Sequence, residues 1–465
     1  MTALPNGWAK ARLRDLGDPI KGSLQPSEHE TFELYSVPSF ADGSPEVLPG
    51  AAIGSHKRPV QPHDLLVCKI NPRINRVWVV GAKTAHEQLA SPEWLVLRSP
   101  VPAIASMLRY QLSAPEFRRW IERGVHGVTG SHTRAKDDHI LDFVARVPPL
   151  AEQERIVAAI EEAFSKLDAG EAGLRTVRQL LKRMRDSILT AAVTGRLVPQ
   201  DPTDTPAPKL LADLETESIE PPDGETTPDG WAWALLGSVT AIGGGIQKQP
   251  KRKPVRNSLP FLRVANVGRG RLDLSEVHEI EVFDGELDRY GLLDGDLLVV
   301  EGNGSPDQIG RSALWRAEID PCVHQNHLIR VRPSAALMPS YLELYWNSPS
   351  AAQRVQAVAS STSGLHTLST GKLKSLPVAI APPEEQARIV AEVERQMSFV
   401  EACEHAVNAG LARSAALRRS VLKAAFEGRL VPQDPADEPA SVLLDRVRAE
   451  RAAQPTAKRR ARRTA

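Results

Sequence analysis

Three cysteines in 465 residues are too few to build on. Cys68, Cys322 and Cys403 lie far apart and fit neither a disulfide framework nor a metal-ligand spacing, so a reducing, cytoplasmic compartment is expected. Neither sign of charge dominates: 58 basic residues stand against 57 acidic ones, for a formal net charge of +1. That balance carries no gross signature of nucleic-acid binding, but it is compatible with a basic patch offset by acidic surface elsewhere. There is no apolar run long enough to span a membrane, and no signal peptide opens the chain. The motifs of catalysis are missing as well. No GxxxxGK[ST] phosphate loop, no HExxH and no paired CxxC occurs. Gly243-Gly244-Gly245 lacks the spacing of a dinucleotide site and reads as a turn. Asn71-Pro72-Arg73 does not supply the Asn-Pro-Pro-aromatic motif that holds a flipped adenine. A binding and positioning role is expected, with no catalytic group, cofactor or metal in this chain.

What the sequence does have is an internal repeat. Residues 149–211 reappear as 382–444, shifted by 233 without a gap. Glu152-Gln153 matches Glu385-Gln386, and the eight residues from Gly195 to Pro202 match those from Gly428 to Pro435 at every position. A shorter echo, Pro5-Asn6-Gly7-Trp8 against Pro228-Asp229-Gly230-Trp231, opens each half. In the first copy Ile156, Ile160, Phe164, Leu167, Leu174, Val177, Leu181, Met184 and Ile188 are spaced 4, 4, 3, 7, 3, 4, 3 and 4 apart, a stripe of coiled-coil type. Ile389, Val393, Met397, Val400, Val407, Leu417 and Val421 continue it in the second copy, which weakens at Gly410 and Ser414. Pro149 and Pro382 suit helix entrances, Gly195 and Gly428 suit left-handed stops, and Pro199 and Pro432 forbid continuation. Each copy therefore predicts a helix of roughly 40 residues, ~60 Å long. A single apolar stripe needs a partner, and the simplest is the other copy; the alternative is that each stripe covers its own globular domain.

Between these copies lie two stretches with little mutual resemblance, 9–147 and 232–380. Each mixes short strand-like runs with turns: Leu65-Leu66-Val67-Cys68 and Val77-Trp78-Val79-Val80 in the first, Leu297-Leu298-Val299-Val300 and the run 327–331 in the second. Each then predicts one helix, over 103–123 and 339–359. Two α/β domains on a helical frame give an α+β chain with an internal pseudo-two-fold repeat and two long helices pairing as an antiparallel coiled coil. The boundaries expected are 1–147, 148–226, 227–380 and 381–445, followed by a basic, disordered tail over 446–465. The polar residues have the character of a DNA reader: arginine and lysine grip phosphates or guanine edges, asparagine and glutamine read adenine, and small residues let amides approach phosphate. The candidates are Lys57, Arg58, Lys69, Arg73, Arg76, Ser131, His132, Thr133, Arg134 and Lys136 in the first domain. In the second they are Arg263, Asn266, Asn303, Ser305, Gln308, Arg311, Asn326 and His366. The run Lys251-Arg252-Lys253 reads first as a solvated loop, and Gln325-Asn326-His327 equally as a polar patch behind a strand.

With Leu4-Pro5-x-Gly7-Trp8, the Glu-Gln-x-Arg-Ile-Val motif at 152–157 and again at 385–390, and the segments EGNGSPDQIGR (301–311) and CVHQNHLIR (322–330), the chain resembles the specificity subunit of type I restriction–modification systems over nearly its whole length. The resemblance implies two target-recognition domains, each reading one half of an asymmetric, bipartite double-stranded DNA site, with the paired helices as the ruler between them. It implies two methyltransferase subunits docked on the helices and restriction/translocase subunits beyond them. S-adenosylmethionine would belong to the methyltransferase, and ATP and Mg to the restriction subunit. The competing expectation is a coiled-coil protein–protein adaptor without DNA specificity.

Overall fold

The computed structural model describes residues 4–126, 133–303, 308–362 and 365–453. The repeated segments form two helices of 44 residues each, Leu150–Val193 and Pro383–Phe426. Proline sits where a helix tolerates it, just before the first turn or at its first position. Both helices stop at the glycines named above, Gly195 at φ +65° and Gly428 at φ +69°. Arg196 N–H reaches back to the Ala191 carbonyl and Arg429 N–H to that of Ala424, the bonds of a glycine-terminated helix end. The second helix runs unbroken through Gly410 and Ser414, and there is a physical reason for the small residues. A Cβ at Gly410 would lie 2.9 Å from Leu174 Cδ1, and the Ser414 hydroxyl donates to Glu171 Oε1 at 2.7 Å. Small residues there admit the opposite helix.

Residues 1–174 with 409–465 form one compact unit, and residues 175–408 form another. Each unit therefore joins one divergent stretch to half of both long helices. In the first, Glu171 and Asp168 meet Ser414 and Arg418; in the second, Arg178 and Arg185 meet Asn408 and Glu404. As one partner's number rises the other's falls, so the pairing inside each unit is antiparallel.

The Glu-Gln-x-Arg motif is the fastening in both units. In the first, the Trp8 indole N–H donates to Glu152 Oε2 at 2.9 Å, the Gln153 amide donates to the Pro148 carbonyl, and Arg155 clamps Asp437 through two nitrogens. In the second, Trp231 donates to Glu385 at 2.9 Å, Gln386 donates to the Ala381 and Ala336 carbonyls, and Arg388 clamps Asp204. Burial raises both glutamate carboxyls, and the indole donors oppose it. Ala440 N–H bonds the Gly7 carbonyl just as Ala207 N–H bonds that of Gly230, both at 2.8 Å. In the first unit the helix Ala440–Ala453 then buries Leu443, Leu444 and Val447 in the cluster that holds Leu13 and Leu16.

The two divergent stretches share one core plan that their sequences conceal. Ala9–Arg12 pairs with Val144–Val147 and closes the first; Ala232–Leu235 pairs with Pro377–Ile380 and closes the second. Each encloses a four-stranded antiparallel sheet. In the first its order is Asp18–Pro19, Trp94–Arg98, Leu65–Cys68, Val77–Val79. In the second it is Thr240–Gly244, Leu328–Pro333, Leu297–Val300, Ser312–Leu314. Both place an aspartate before the Leu-Leu-Val strand. Asp64, 1% exposed, takes two hydrogen bonds from Arg98, and Asp296, 0% exposed, takes two from Arg332. The preceding residue is left-handed in both, His63 at φ +69° and Gly295 at φ +88°. The burial is costly for each aspartate, so the bidentate partner is what makes the position tenable.

Four expectations change. The tail expected to be disordered from 446 is helical through Ala453, because Val447 is buried with Leu443 and Leu444 on one face of the helix Ala440–Ala453. The helices over 103–123 and 339–359 are each two helices: Pro102–Ser113 and Pro115–Arg123, then Pro339–Trp346 and Pro349–Val358. Pro115 and Pro349 lack the N–H that continuation needs and each starts a new helix. Gly243 and Gly244 belong to a strand rather than a turn. The following Gly245 lies against the backbone of His324 and Gln325, where any Cβ would collide.

Candidate nucleic-acid interface

In both units the central strand of the four-stranded sheet runs out into a loop that is gripped from two sides. In the first unit Lys69 N–H donates to the Glu93 carbonyl, Ala135 N–H to that of Lys69, and Asn71 N–H to that of Thr133, each at 2.9 Å. In the second, Glu301 N–H donates to the His327 carbonyl at 3.0 Å and Leu368 N–H to that of Glu301 at 2.7 Å, while Gly302–Asn303 pairs with Leu365–Thr367. The backbone junction is the same; the side chains it displays are not. Candidates scattered along the sequence, 69–76 with 133–136 and 301–303 with 365–367, are thereby brought together.

At the first junction Arg134 extends into solvent, 61% exposed, with Nη2 at 2.5 Å from Glu93 Oε1. Lys69 is largely covered and lies 3.3 Å from Asp137. Asn71 and Asn75 take the left-handed conformation that asparagine tolerates, which turns the loop around buried Pro72. Arg73 at its tip is exposed, as is Lys136, and neither side chain has a polar partner among the described residues. Arg76 reaches back to Cys68 Sγ. Lys57 and Arg58 lie apart from this junction: Lys57 bridges Leu24, and Arg58–Pro59 pairs with Glu87–Ala90 in a second sheet. Lys57 is buried, its ammonium donates to Ser55, and burial lowers its pKa; Arg58 donates to the Ile20 carbonyl at 2.7 Å. Thr133 is half-buried. Ser131 and His132 lie outside the described residues.

At the second junction His327 Nδ1 lies 2.9 Å from Glu301 Oε2 and its other ring nitrogen 3.5 Å from the Asn326 amide. Gln308 is exposed. Ser305 and the side chains of Asn303 and His366 lie outside the described residues. Two candidates serve the fold. Asn266 is 3% exposed; its oxygen accepts from Arg263 N–H, and its amide donates to the Asp273 and Glu276 carbonyls. Arg311 donates to the carbonyls of Val267 at 2.7 Å and Val264 at 3.0 Å, and burial with nearby Arg269 lowers its pKa. Arg263 lies 3.3 Å from Glu276. Of the run 251–253, Arg252 is held by Glu286 and lies over the Phe283 ring; Lys253 is exposed. His324 is fully buried, with Nδ1 on the Tyr290 carbonyl, and burial pushes its pKa down to about 3.

Sequence reasoning missed the acids. Glu93 and Asp137 are the partners of Arg134 and Lys69, yet neither carries a motif, because the pairing exists only through the junction's long-range backbone bonds. Among the described residues no histidine, cysteine or carboxylate group is arranged to hold a metal, and no helix is long and apolar enough to cross a membrane.

No family model matches the chain. It is 31% identical over 316 residues to the type I restriction enzyme EcoKI specificity subunit of Escherichia coli strain K12, covering 66% of this chain and 64% of that one. It is 28% identical over 316 residues to the StySPI specificity subunit of Salmonella potsdam, covering 66% and 63%. The chain thus spans just under two thirds of the length of these two relatives. Among solved structures it matches a chain from work on complex assembly and conformational transition of the type I R-M system, with a TM-score of 0.67 at 20% identity over 92% of this chain and 100% of that one. It also matches the HsdS subunit from Thermoanaerobacter tengcongensis, with a TM-score of 0.51 at 19% identity over 92% and 98%.

Proposed function

We propose that the chain, which resembles the specificity subunits of type I restriction–modification systems, is the non-catalytic subunit of such a system that reads an asymmetric, bipartite double-stranded DNA target. One observation supports this reading most directly: the same backbone junction is built twice and displays different side chains each time. A protein with two copies of one presenting loop and unlike residues on them is suited to two unlike half-sites. Backbone-positioning groups and base-reading groups are commonly separate on such surfaces, and the first junction has both exposed arginine and less exposed lysine. The 44-residue helices, ~66 Å each at 1.5 Å per residue, would set the gap between half-sites. Exposed Val177, Leu180, Met184, Phe399 and Leu417 leave apolar surface on the helices for the methyltransferase subunits. S-adenosylmethionine, ATP and Mg would act in those partner and restriction subunits. Nothing in the structure favours the adaptor reading.

The test is an adenine-methylation map of the source organism with and without this chain. Loss of one asymmetric bipartite motif on deletion is the expected result. An unchanged map, in cells shown to express the chain and its methyltransferase, would sink the proposal.

A further inference from the structure

Resting on that DNA-reading function, we propose that Glu93 is a specificity-determining residue of the first half-site, holding Arg134 for a base edge and keeping it off the phosphate backbone. Four observations carry this. Arg134 is the exposed cation at the first junction that is held by a carboxylate, and its one polar side-chain contact among the described residues is Glu93. Glu93 is only 27% exposed on its side chain, and its own backbone carbonyl is tied to Lys69 N–H, so the carboxylate is a fixed post. Among the described residues the other N–H groups of the guanidinium have no partner, which suits an acceptor pair such as O6 and N7 of guanine. Finally, the second junction also carries one clamped carboxylate, but from the other strand. Glu301, at the position of Lys69, holds His327, at the position of Glu93. A carboxylate held at the junction thus recurs, although the pair of positions that holds it differs from Glu93 with Arg134.

The physics is competition. An arginine on a DNA-facing loop binds any phosphate it can reach, and that attraction is blind to sequence. A carboxylate on the same nitrogen neutralises the cation at long range and repels phosphate oxygens. A guanine edge is uncharged and offers two acceptors in one plane, so it does not incur that repulsion. Glu93 therefore weakens random binding more than cognate binding, which is specificity gained by penalising the wrong partner.

The experiment uses the full chain assembled with its methyltransferase partner and four fluorescent duplexes: cognate, first half-site scrambled, second half-site scrambled and both scrambled, titrated over a range of salt. Glu93→Gln keeps the shape and an acceptor oxygen but removes the charge. It should tighten binding to the fully scrambled duplex about 3–10-fold and change cognate binding less than about twofold. The salt slope on scrambled DNA should steepen by about one. The penalty for scrambling the first half-site should shrink and that for the second should stay, which also reports that the variant is folded. Adding Arg134→Ala should abolish the gain on scrambled DNA. A wild-type complex that discriminates and a Glu93→Gln complex that discriminates equally well would overturn the role of Glu93 alone. So would a gain that survives Arg134→Ala. A wild-type complex binding all four duplexes alike would refute DNA reading itself and this inference with it.

Discussion

At the residue scale, an arginine in a DNA-facing segment can serve the reader or the fold, and exposure decides which. Arg134 forms an open ion pair, the kind worth about 0–1 kcal/mol to stability, so Arg134→Ala should leave the urea midpoint nearly unchanged. It should cost about 1–3 kcal/mol of affinity at the first half-site if the arginine reads a base edge. Arg311 spends its guanidinium on two backbone carbonyls of one turn. Arg311→Ala should lower stability by about 1–3 kcal/mol, with recognition lost only at the second half-site; a midpoint unchanged in urea would contradict this. Glu286 gives a pH signature. Its two bonds from Arg252, with the Phe283 N–H, pull its carboxyl from the ordinary 4.5 down to about 2. A depressed folded pKa means the unfolded chain binds the proton first. The pair's stabilisation is thus complete above about pH 4.5 and is lost as pH falls toward 2. Both partners are largely buried, so Glu286→Gln should cost on the order of 2 kcal/mol at neutral pH. The difference from wild type, followed by denaturant melts across pH, should vanish in acid.

At the element scale the long helices are held by a few exact fits rather than by a uniform stripe. Ile156, Ile160, Leu181 and Ile188 are buried, while Val177 and Met184 of the same stripe are exposed. Leu189 and Leu422 are also buried, each inside its own unit. A helical turn inserted after either would displace packed residues. Insertion between Leu174 and Arg175, together with insertion between Asn408 and Ala409, falls where one unit gives way to the other and leaves each unit's internal pairs intact. Four residues in each helix add ~6 Å, so the methylated motif should keep both half-sites and lengthen its gap by about one or two base pairs. A gap unchanged in the methylation map would remove the ruler.

At the scale of the whole molecule, the first compact unit is assembled from two separated pieces of chain, whereas the second is the continuous stretch 175–408 between them. The first needs residues from both ends of the sequence, and its clamp joins Arg155 to Asp437; the second joins Arg388 to Asp204. Both aspartates are almost fully buried while their arginines are partly exposed, so removing one aspartate breaks a two-pronged clamp, leaves a gap where the carboxylate was packed and loosens one unit. Asp437→Ala should accelerate amide hydrogen exchange in residues 4–174 and 409–453 and spare 175–408, and Asp204→Ala should do the reverse. Equal acceleration everywhere would mean that the two units do not hold their stability separately.

The sequence by itself determined the frame. Helix period, left-handed glycine stops and a gapless repeat are local signals, each written in adjacent residues, and they yielded two matched helices, their ends and the motif that fastens them. The family resemblance rested on the same local motifs. What only the tertiary structure decided was everything that depends on contact between distant residues. Asp64 with Arg98 and Asp296 with Arg332 are the shared core of two stretches whose sequences look unrelated, because a fold is conserved by a few buried pairs and by backbone hydrogen bonds that any side chain permits. The junctions follow the same logic. Composition nominated Asn266, Arg311 and Arg134 alike as readers, since a side chain's chemistry is the same whether it faces a carbonyl or the solvent. Burial then set Asn266 and Arg311 to holding turns, and left Arg134 outside on a carboxylate that no motif announced.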